Sequence, residues 1–328
     1  MKLEDIHKKD FVEKVHALMD KDRDMLVAMR DRFVDAPCPA CLSENLAFAF
    51  SLEGLDASRC LECGTVFINP RPTGEVMAEY FARSEGHAHW FENMPETLRQ
   101  SRRGTLYRDR LERLLGLQRE YGVGNGVALE IGGGDGTFVD MMVERGVFSE
   151  LNVLEPMPMR RAWDSVRVIR STIEDAVLPQ GQGDCVIGFE VLEHLLEPRV
   201  FVGKAYDFLK TGGHLYLTTP NYEGFEIKRL GTASTSVGYD HLNYFNLRSL
   251  EWMLAELGFD VVFIETPGKL DLEMVRARFQ EGRIDLADAP VLRYVLTDGW
   301  EANAGSLQRW IVANKLSSHM ACLARKRA

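Results

Sequence analysis

The amino-acid sequence predicts a doubly wound α/β fold with a mostly parallel sheet of seven strands. From residue 122 onward, apolar strand-like segments alternate with helical ones, and a glycine-rich turn joins the first strand to the first helix. This alternation is typical of a parallel sheet that carries helices on both faces. The predicted strands cover residues 127–131, 151–155, 166–170, 184–189, 214–219, 260–265 and 319–326.

Helical periodicity predicts helices in the segments between these strands. Residues 137–145 follow the glycine-rich turn, residues 198–210 end before Gly212 and Gly213, and residues 247–257 end before Gly258. Residues 268–316 also have a helical pattern, and their role is left open.

The chain divides into four predicted regions. Apolar residues recur at helical spacing from Leu3 and Ile6 until Pro37 ends the pattern, so the first region is expected to be helical. The regions are a helical extension (1–36), a cysteine-rich module (37–72), a helical linker or lid (73–121) and the sheet domain (122–328).

Composition narrows the classes of function and of partner. The 328 residues carry a formal net charge of -10, which disfavours nucleic acid because the field of the protein repels phosphate. The sequence shows no apolar run of about 20 residues and no secretory signal, so we expect no membrane partner and a cytoplasmic location. Two C-x-x-C pairs and two isolated cysteines suit a reducing compartment. A homodimer is left open.

The glycine-rich turn, Ala-Leu-Glu-Ile-Gly-Gly-Gly-Asp-Gly at residues 128–136, predicts a site for a nucleotide-like cofactor. Glycine lets the main chain approach a ligand closely. The dinucleotide fingerprint requires glycine or alanine at the position of Thr137, whereas the observed spacing is G-x-G-x-G. The acid at Glu130 suits a cofactor with a cationic amino-acid end, since a carboxylate repels pyrophosphate. Glu155 ends the second strand, where a carboxylate can bind both ribose hydroxyls.

This pattern resembles the first motif of class I S-adenosylmethionine-dependent methyltransferases, which have a Rossmann-like fold. The segments at residues 171–175, 184–195 and 212–220 resemble the later motifs in the same order. The resemblance implies S-adenosylmethionine as cofactor, with contacts from Glu130, Gly132, Gly133, Gly134, Gly136, Glu155, Thr172, Ile173, Glu174 and Glu190. Glu174 and Glu190 have the alternative of being solvated or capping acids. A dinucleotide oxidoreductase and a turn without catalytic use are the alternatives for the motif as a whole.

The cysteine-rich module predicts a structural zinc site. Cys38, Cys41, Cys60 and Cys63 have the spacing C-x2-C-x18-C-x2-C, and four thiolates can close a tetrahedral shell around zinc. The module is too small to fold on a core of its own, so the metal is expected to supply folding free energy. Four unrelated buried cysteines are the alternative.

A zinc module followed by Asn-Pro-Arg-Pro at residues 69–72 and by a methyltransferase domain resembles the bacterial deoxysugar C-methyltransferases. These enzymes act on nucleotide-linked keto-sugars. The chain departs from them in its helical N-terminal extension and in ending soon after the methyltransferase core, where they usually carry a further domain. Despite this difference the same fold and cofactor are expected, whereas the exact substrate stays open.

Candidate catalytic residues follow from chemistry and from this resemblance. Histidine is the natural base near neutral pH, and the resemblance places His241 and His194 at the active site. His241 is predicted to be the base or the main polar contact with the acceptor, oriented by Asp240 or a nearby carboxylate, with a structural histidine as the alternative. For His194 a structural or cofactor-contacting role is favoured. Tyr80, Tyr239 and Asp240 are secondary candidates for binding substrate or orienting the base.

Two further groups have less specific signals. His87, His89 and Trp90 are candidates for a lid over the site. The arginines between Arg99 and Arg110 are either a phosphate contact or, as the favoured interpretation, a solvated helix face.

The leading functional prediction is methylation, on carbon or oxygen, of a small-molecule acceptor, with a nucleotide-linked or otherwise activated sugar as the first choice. A quinone-like or natural-product O-methyltransferase is the second enzyme hypothesis, because residues 173–175 and 190–194 resemble quinone-pathway enzymes. A third hypothesis assigns the protein to another functional class, in which the zinc module recognises RNA or protein. The acidic charge, and few aromatics interleaved with basic residues in 37–72, argue against RNA.

Overall fold

A computed structural model describes residues 9–328 of the chain. Leu3 and Ile6, which contribute to the predicted first helix, lie outside the described residues. Among residues 9–328 no helix combines the length and the apolar character that crossing a bilayer requires.

The main sheet confirms the predicted seven-stranded, mostly parallel architecture. Its order is β10-β11-β8-β7-β4-β5-β6, and β11 runs antiparallel to both of its neighbours. The other neighbouring strands pair in parallel. The strands are β4 (Val127–Ile131), β5 (Glu150–Leu154), β6 (Val166–Ile169), β7 (Gly183–Phe189), β8 (Leu209–Pro220), β10 (Phe259–Glu265) and β11 (His319–Lys326).

Helices cover both faces of this sheet. A π-helical turn, Arg103–Tyr107, joins α4 to α5. The helices are α1 (Lys9–Ala28), α2 (Gly74–Arg83), α3 (Glu85–Asn93), α4 (Glu96–Arg102), α5 (Arg108–Tyr121), α6 (Thr137–Glu144), α7 (Pro198–Phe208), α8 (Phe225–Leu230), α9 (Leu247–Glu256), α10 (Asp271–Gln280), α11 (Pro290–Leu296) and α12 (Trp300–Ala313).

One predicted helix end was wrong. The helix predicted over 198–210 stops at Phe208, and the next residue, Leu209, already has extended backbone and pairs with Gly183. Leu209 is fully buried as part of β8. The apolar periodicity continued through Leu209, but strand pairing with β7 decides its conformation.

A second, four-stranded sheet was not predicted. Its strands β1 (Leu46–Leu52), β2 (Leu55–Cys60) and β3 (Val66–Ile68) belong to the cysteine-rich region. Its fourth strand, β9 (Asn243–Tyr244), comes from the segment that follows β8, and Val66 pairs with Tyr244. The small sheet therefore joins the cysteine-rich region to a loop of the main domain.

Both regions also share a hydrophobic core. Three of the cysteines and Phe67 pack in the same buried cluster as Leu217 of β8 and Phe245. The cysteine-rich region is thus packed on the sheet domain through a continuous core, while its boundaries at residues 37 and 72 stay predictions.

Candidate active site

The glycine-rich turn lies at the carboxyl end of β4 and leads into α6. Gly132, Gly134 and Gly136 have φ values of 82°, 55° and 83°, a region that favours glycine. A Cβ at Gly132 would lie 2.4 Å from the Val191 side chain, and one at Gly133 would lie 2.5 Å from that of Val153. The turn therefore depends on glycine both for its backbone conformation and for its close packing.

Two buried acids lie beside this turn. Glu155 follows β5, and its carboxylate accepts hydrogen bonds from the backbone N–H of Gly134 at 2.8 Å and of Met157 at 2.9 Å. Glu130 is 3% exposed, and its Oε2 has no hydrogen-bond partner among the described residues. Burial, followed by the neighbouring Glu155 carboxylate, raises the pKa of Glu130 to about 8. Such an acceptor is suited to a cationic ligand group.

The segment at residues 171–175, which was predicted to contact the cofactor, follows β6. Ile173 is buried in the core cluster, whereas Thr172 and Glu174 are exposed. The Thr172 hydroxyl accepts a hydrogen bond from the backbone N–H of Asp175, so it caps a short turn. Cofactor contacts at Thr172, Ile173 and Glu174 stay predictions.

The favoured interpretation of the arginine cluster as a solvated face was wrong for Arg99 and Arg110. Arg99 is 7% exposed, and its Nε donates to the carboxylate of Asp135 in the glycine-rich turn at 2.7 Å. Arg110 Nη2 donates to Glu190 Oε1 at 3.2 Å, and its guanidinium lies 4.8 Å from the centroid of the Phe189 ring. Both arginines therefore connect helices α4 and α5 to the segments that follow the parallel strands β4 and β7.

Glu190 is held in the site by neighbouring side chains, and its own side chain is 35% exposed. It follows β7 with a φ of 53°, which is uncommon for a residue with a side chain. Its Oε1 accepts a hydrogen bond from the Thr218 hydroxyl at 2.5 Å in addition to that from Arg110. Burial tends to raise the pKa of Glu190, but His319 and Arg110 outweigh it and lower the pKa. A strained residue with a fixed carboxylate indicates a functional position.

His194 and His241 lie together at the carboxyl edge of the sheet. Their ring centroids are 4.6 Å apart, with an interplanar angle of 81°. His194 Nδ1 is 2.8 Å from the backbone oxygen of Asp240, and His241 Nδ1 is 2.9 Å from that of Ser236. Because a carbonyl oxygen only accepts, each Nδ1 carries the hydrogen, and each neutral ring keeps a lone pair on Nε2.

The predicted orientation of His241 by Asp240 or a nearby carboxylate is not found at its Nδ1 atom. The oxygen bound to His241 Nδ1 is that of Ser236, five residues earlier in the chain. The carboxylate of Asp240 instead lies 3.8 Å from His194 Nδ1, the ring to which its own backbone oxygen is bound. Asp240 therefore orients His194.

Tyr80 and Tyr239 pair with each other, and a further acid, Glu193, lies beside the two histidines. The Tyr80 hydroxyl donates to that of Tyr239 at 3.3 Å, and both side chains are buried. Glu193, which sequence reasoning missed, is 1% exposed and accepts a hydrogen bond from the Thr219 hydroxyl at 2.9 Å. One nitrogen or oxygen atom each of Glu193, His194 and His241 lies within 4.8 Å of the others. Burial and then Glu190 raise the pKa of Glu193 to about 8.

The four cysteines form one cluster. Their sulfurs all lie within 4.8 Å of one another, with 3.5 Å between Cys38 and Cys63 and between Cys41 and Cys60. Tetrahedral zinc with bonds of about 2.3 Å places its sulfurs about 3.8 Å apart, so this donor set fits the ion. The backbone forms two similar tight turns, closed by Leu42 N–H to Cys38 O and by Gly64 N–H to Cys60 O.

The fold and the site together define the class of the protein. A parallel sheet in the order β6-β5-β4-β7-β8 with an antiparallel β11, a glycine-rich turn after β4 and acids at the ends of β4 and β5 are the features of class I S-adenosylmethionine-dependent methyltransferases. Residues 98–263, just over half of the chain, match the family described as "Methyltransferase domain". The chain belongs to this methyltransferase family.

Curated relatives cover the same part of the chain. A probable S-adenosylmethionine-dependent methyltransferase of Mycolicibacterium smegmatis is 26% identical over 136 residues, which are 40% of this chain and 51% of the relative. One of Mycobacterium tuberculosis is 28% identical over 134 residues, 40% of this chain and 47% of the relative. The chain thus spans about half the length of the curated relatives it matches.

Solved structures of methyltransferases are also similar. An S-adenosylmethionine-dependent methyltransferase from Mesorhizobium loti has a TM-score of 0.44 and 15% identity, covering 66% of this chain and 97% of its own. Phosphoethanolamine N-methyltransferase 2 of Haemonchus contortus has a TM-score of 0.44 and 16% identity, covering 66% of this chain and 53% of its own.

Proposed function

We propose that the protein transfers the methyl group of S-adenosylmethionine to a small-molecule acceptor, with a nucleotide-linked or otherwise activated sugar as the first candidate. The observation that carries the proposal is the pair formed by His194 and His241, whose Nε2 lone pairs lie at the sheet edge that bears the glycine-rich turn. The acidic net charge, and the few aromatics interleaved with basic residues in 37–72, disfavour RNA as acceptor.

The cofactor's amino-acid end is proposed to lie between Glu130 and Arg110. Glu130 Oε2 is a buried acceptor without a donor, and Arg110 Nε is a buried donor without an acceptor among the described residues. Arg110 is close enough to Glu130 to lower its pKa against the effect of burial. An ammonium group at Glu130 and a carboxylate at Arg110 would satisfy both atoms, and Glu155 would bind the ribose.

On the acceptor side, His241 is proposed to remove a proton or to hold the group that receives the methyl. Methyl transfer is an in-line displacement, so the enzyme mainly positions the acceptor and takes up its proton. His241 Nε2 has the lone pair for this step, and the hydroxyls of Tyr80 and Tyr239 are proposed to contact polar groups of the acceptor. Removal of a proton by His241 would suit methylation of a sugar hydroxyl and of a carbon next to a carbonyl group equally.

The acceptor class is tested by product formation. The protein is incubated with isotopically labelled S-adenosylmethionine and, separately, with nucleoside-diphosphate keto-sugars, a quinol and total RNA. We expect S-adenosylhomocysteine and labelled product only with the sugars, and product fragmentation then separates C- from O-methylation. Transfer to the quinol or to RNA alone would replace the sugar proposal with one of its alternatives.

Cofactor binding is expected to release a proton through Glu130. In the free protein this carboxyl has a pKa of about 8, so it is protonated at lower pH. A bound ammonium group favours the ionised form. Affinity for S-adenosylmethionine should therefore rise with pH, by up to about tenfold between pH 6 and 7, below the pH at which an α-amino group itself deprotonates. Calorimetry in buffers of different ionisation enthalpy measures the released proton.

The variant Glu130→Gln serves as the control, because glutamine keeps the shape of the side chain without its titration. It should bind more weakly and lose both the proton release and the pH dependence. Equal proton release by Glu130→Gln and by the unmodified protein would show that another group releases the proton.

The four cysteines are proposed to hold one structural zinc ion, which stabilises the small sheet and needs the reduced thiols of a cytoplasmic protein. The purified protein should contain about one zinc per chain by elemental analysis. Cys60→Ser should strongly lower the zinc content and the folding yield. It should change the catalytic rate of the protein that still folds much less. Cys185→Ser, at a buried cysteine outside the cluster, should keep the zinc. Protein free of zinc after purification without chelators would contradict the site.

A further inference from the structure

Arg71 is a buried cation that bonds mainly to backbone carbonyls. It follows β3 in the Asn-Pro-Arg-Pro segment and is 4% exposed. Its guanidinium donates to the backbone oxygens of Leu195, Leu196 and Leu242, at distances between 2.7 and 3.3 Å, and to Asn243 Oδ1 at 2.8 Å. A planar guanidinium with five donors can satisfy several fixed acceptors at once, which lysine cannot.

These acceptors belong to the two loops that carry the histidines. Leu195 and Leu196 directly follow His194, and Leu242 and Asn243 directly follow His241. The side-chain amide of Asn243 in turn donates to the backbone oxygens of Leu192 and Leu195, at 3.0 and 2.7 Å. Arg71 and Asn243 therefore link the backbone on the C-terminal side of one histidine to that of the other.

Arg71 itself belongs to the cysteine-rich region (37–72), and its backbone is fixed by the end of the helical extension. Its backbone N–H and C=O both pair with Val34, at 2.7 and 2.9 Å. Strand β3 pairs with β9, and the N–H of Ile68 donates to the backbone oxygen of Leu242. Asn246 donates to the backbone oxygen of Cys63 at 3.4 Å, so a contact also runs directly from the cysteine cluster.

We propose that Arg71 is a positioning residue that fixes the separation and the tautomers of His194 and His241, and thereby couples the cysteine-rich module to the catalytic cluster. The inference rests on the proposed function of these histidines. Arg71 acts on the backbone of the two loops, so the carbonyls of Ser236 and Asp240 stay in place to bind the Nδ1–H groups. Without the guanidinium, the backbone oxygen of Leu196 loses its donors, and those of Leu195 and Leu242 keep only Asn243 and Ile68, so the loops must move or admit water.

The experiment uses the full chain labelled with nitrogen-15 in histidine, with His194 and His241 assigned through His→Asn variants. Nitrogen chemical shifts report the tautomer of each ring without any need for the acceptor. The unmodified protein should show Nδ1–H tautomers for both residues. In Arg71→Met, both should become tautomer mixtures, while the affinity for S-adenosylmethionine stays within threefold. Arg71→Lys, which keeps the charge and covers fewer carbonyls, should give an intermediate result.

Arg59→Met is the matched control, because Arg59 also links the module to the segment after β8 but does so at the surface, through Glu223. It should leave both histidine signals unchanged. Unchanged signals in folded Arg71→Met, or loss of fold in both Arg71 variants, would overturn the positioning role. A protein that shows the expected signals but methylates no acceptor refutes the proposed function alone, so the two failures are distinguishable.

Discussion

Replacing Gly134 by valine should abolish the binding of S-adenosylmethionine. The backbone at Gly134 has a φ of 55°, and its N–H is bonded to Glu155. A β-branched side chain disfavours this conformation and occupies the surface that the cofactor must approach. We expect Kd to rise by at least about 100-fold, or about 2.7 kcal/mol, as measured by isothermal calorimetry.

Gly146→Val is the matched control for this substitution. Gly146 has nearly the same φ, 57°, and a Cβ there would meet no atom within 4 Å. It follows α6 on the side away from the glycine-rich turn, so its variant should show a similar change in melting temperature with cofactor binding retained. Calorimetry that finds equal affinity in the two variants, or binding of NADH by the unmodified protein, would contradict the assigned cofactor site.

Replacing His241 by asparagine should reduce turnover by about 10²- to 10⁴-fold, the usual range for the loss of a general base. Asparagine keeps a polar side chain but has no basic nitrogen. The ring does not belong to the glycine-rich turn, so the affinity for S-adenosylmethionine should stay within a few-fold. Turnover is measured as S-adenosylhomocysteine formed with the acceptor found in the product assay.

His16→Asn, on the exposed side of α1, is the control and should keep full turnover. Near-normal turnover in His241→Asn would return His241 to a structural role. Loss of cofactor binding and of fold together would do the same. Elemental analysis adds a further check, since Glu193, His194 and His241 are also a possible ligand set for a metal. A second metal ion that is lost in Glu193→Gln would assign His241 to metal binding instead of proton transfer.

The sheet domain was largely predictable because its signals are local. Strands β4 and β11 have the predicted bounds, β6, β7 and β10 differ by one residue at one end and β5 by one residue at each end, whereas β8 begins five residues earlier than predicted. Each is a short apolar run between turn-forming residues, and the alternation with helices sets the parallel topology. Strand β3 of the cysteine-rich region was missed because it has three residues and pairs with a two-residue strand far along the chain.

Sequence motifs predicted part of the site. Residues whose roles depend on tertiary contacts were not predicted. The glycines, Glu130, Glu155 and the two histidines stand in recognisable patterns, and the structure brings them to one edge of the sheet. The roles of Arg71, Arg99 and Glu193 were not predictable, since they depend on partners distant in sequence, such as Asp135 for Arg99. The same reason explains why Ser236, rather than the adjacent acid, binds His241.

The pairing of β3 with β9 has a consequence for biosynthesis. On the ribosome, all four cysteines emerge long before Tyr244, so zinc can bind while the exposed edge of β3 still lacks its neighbour. The small sheet is complete only after β8 has been made, and closing such a long-range contact is slow compared with local folding. A nascent chain that stops before residue 243 would therefore present an open strand edge, a site for chaperones or for aggregation.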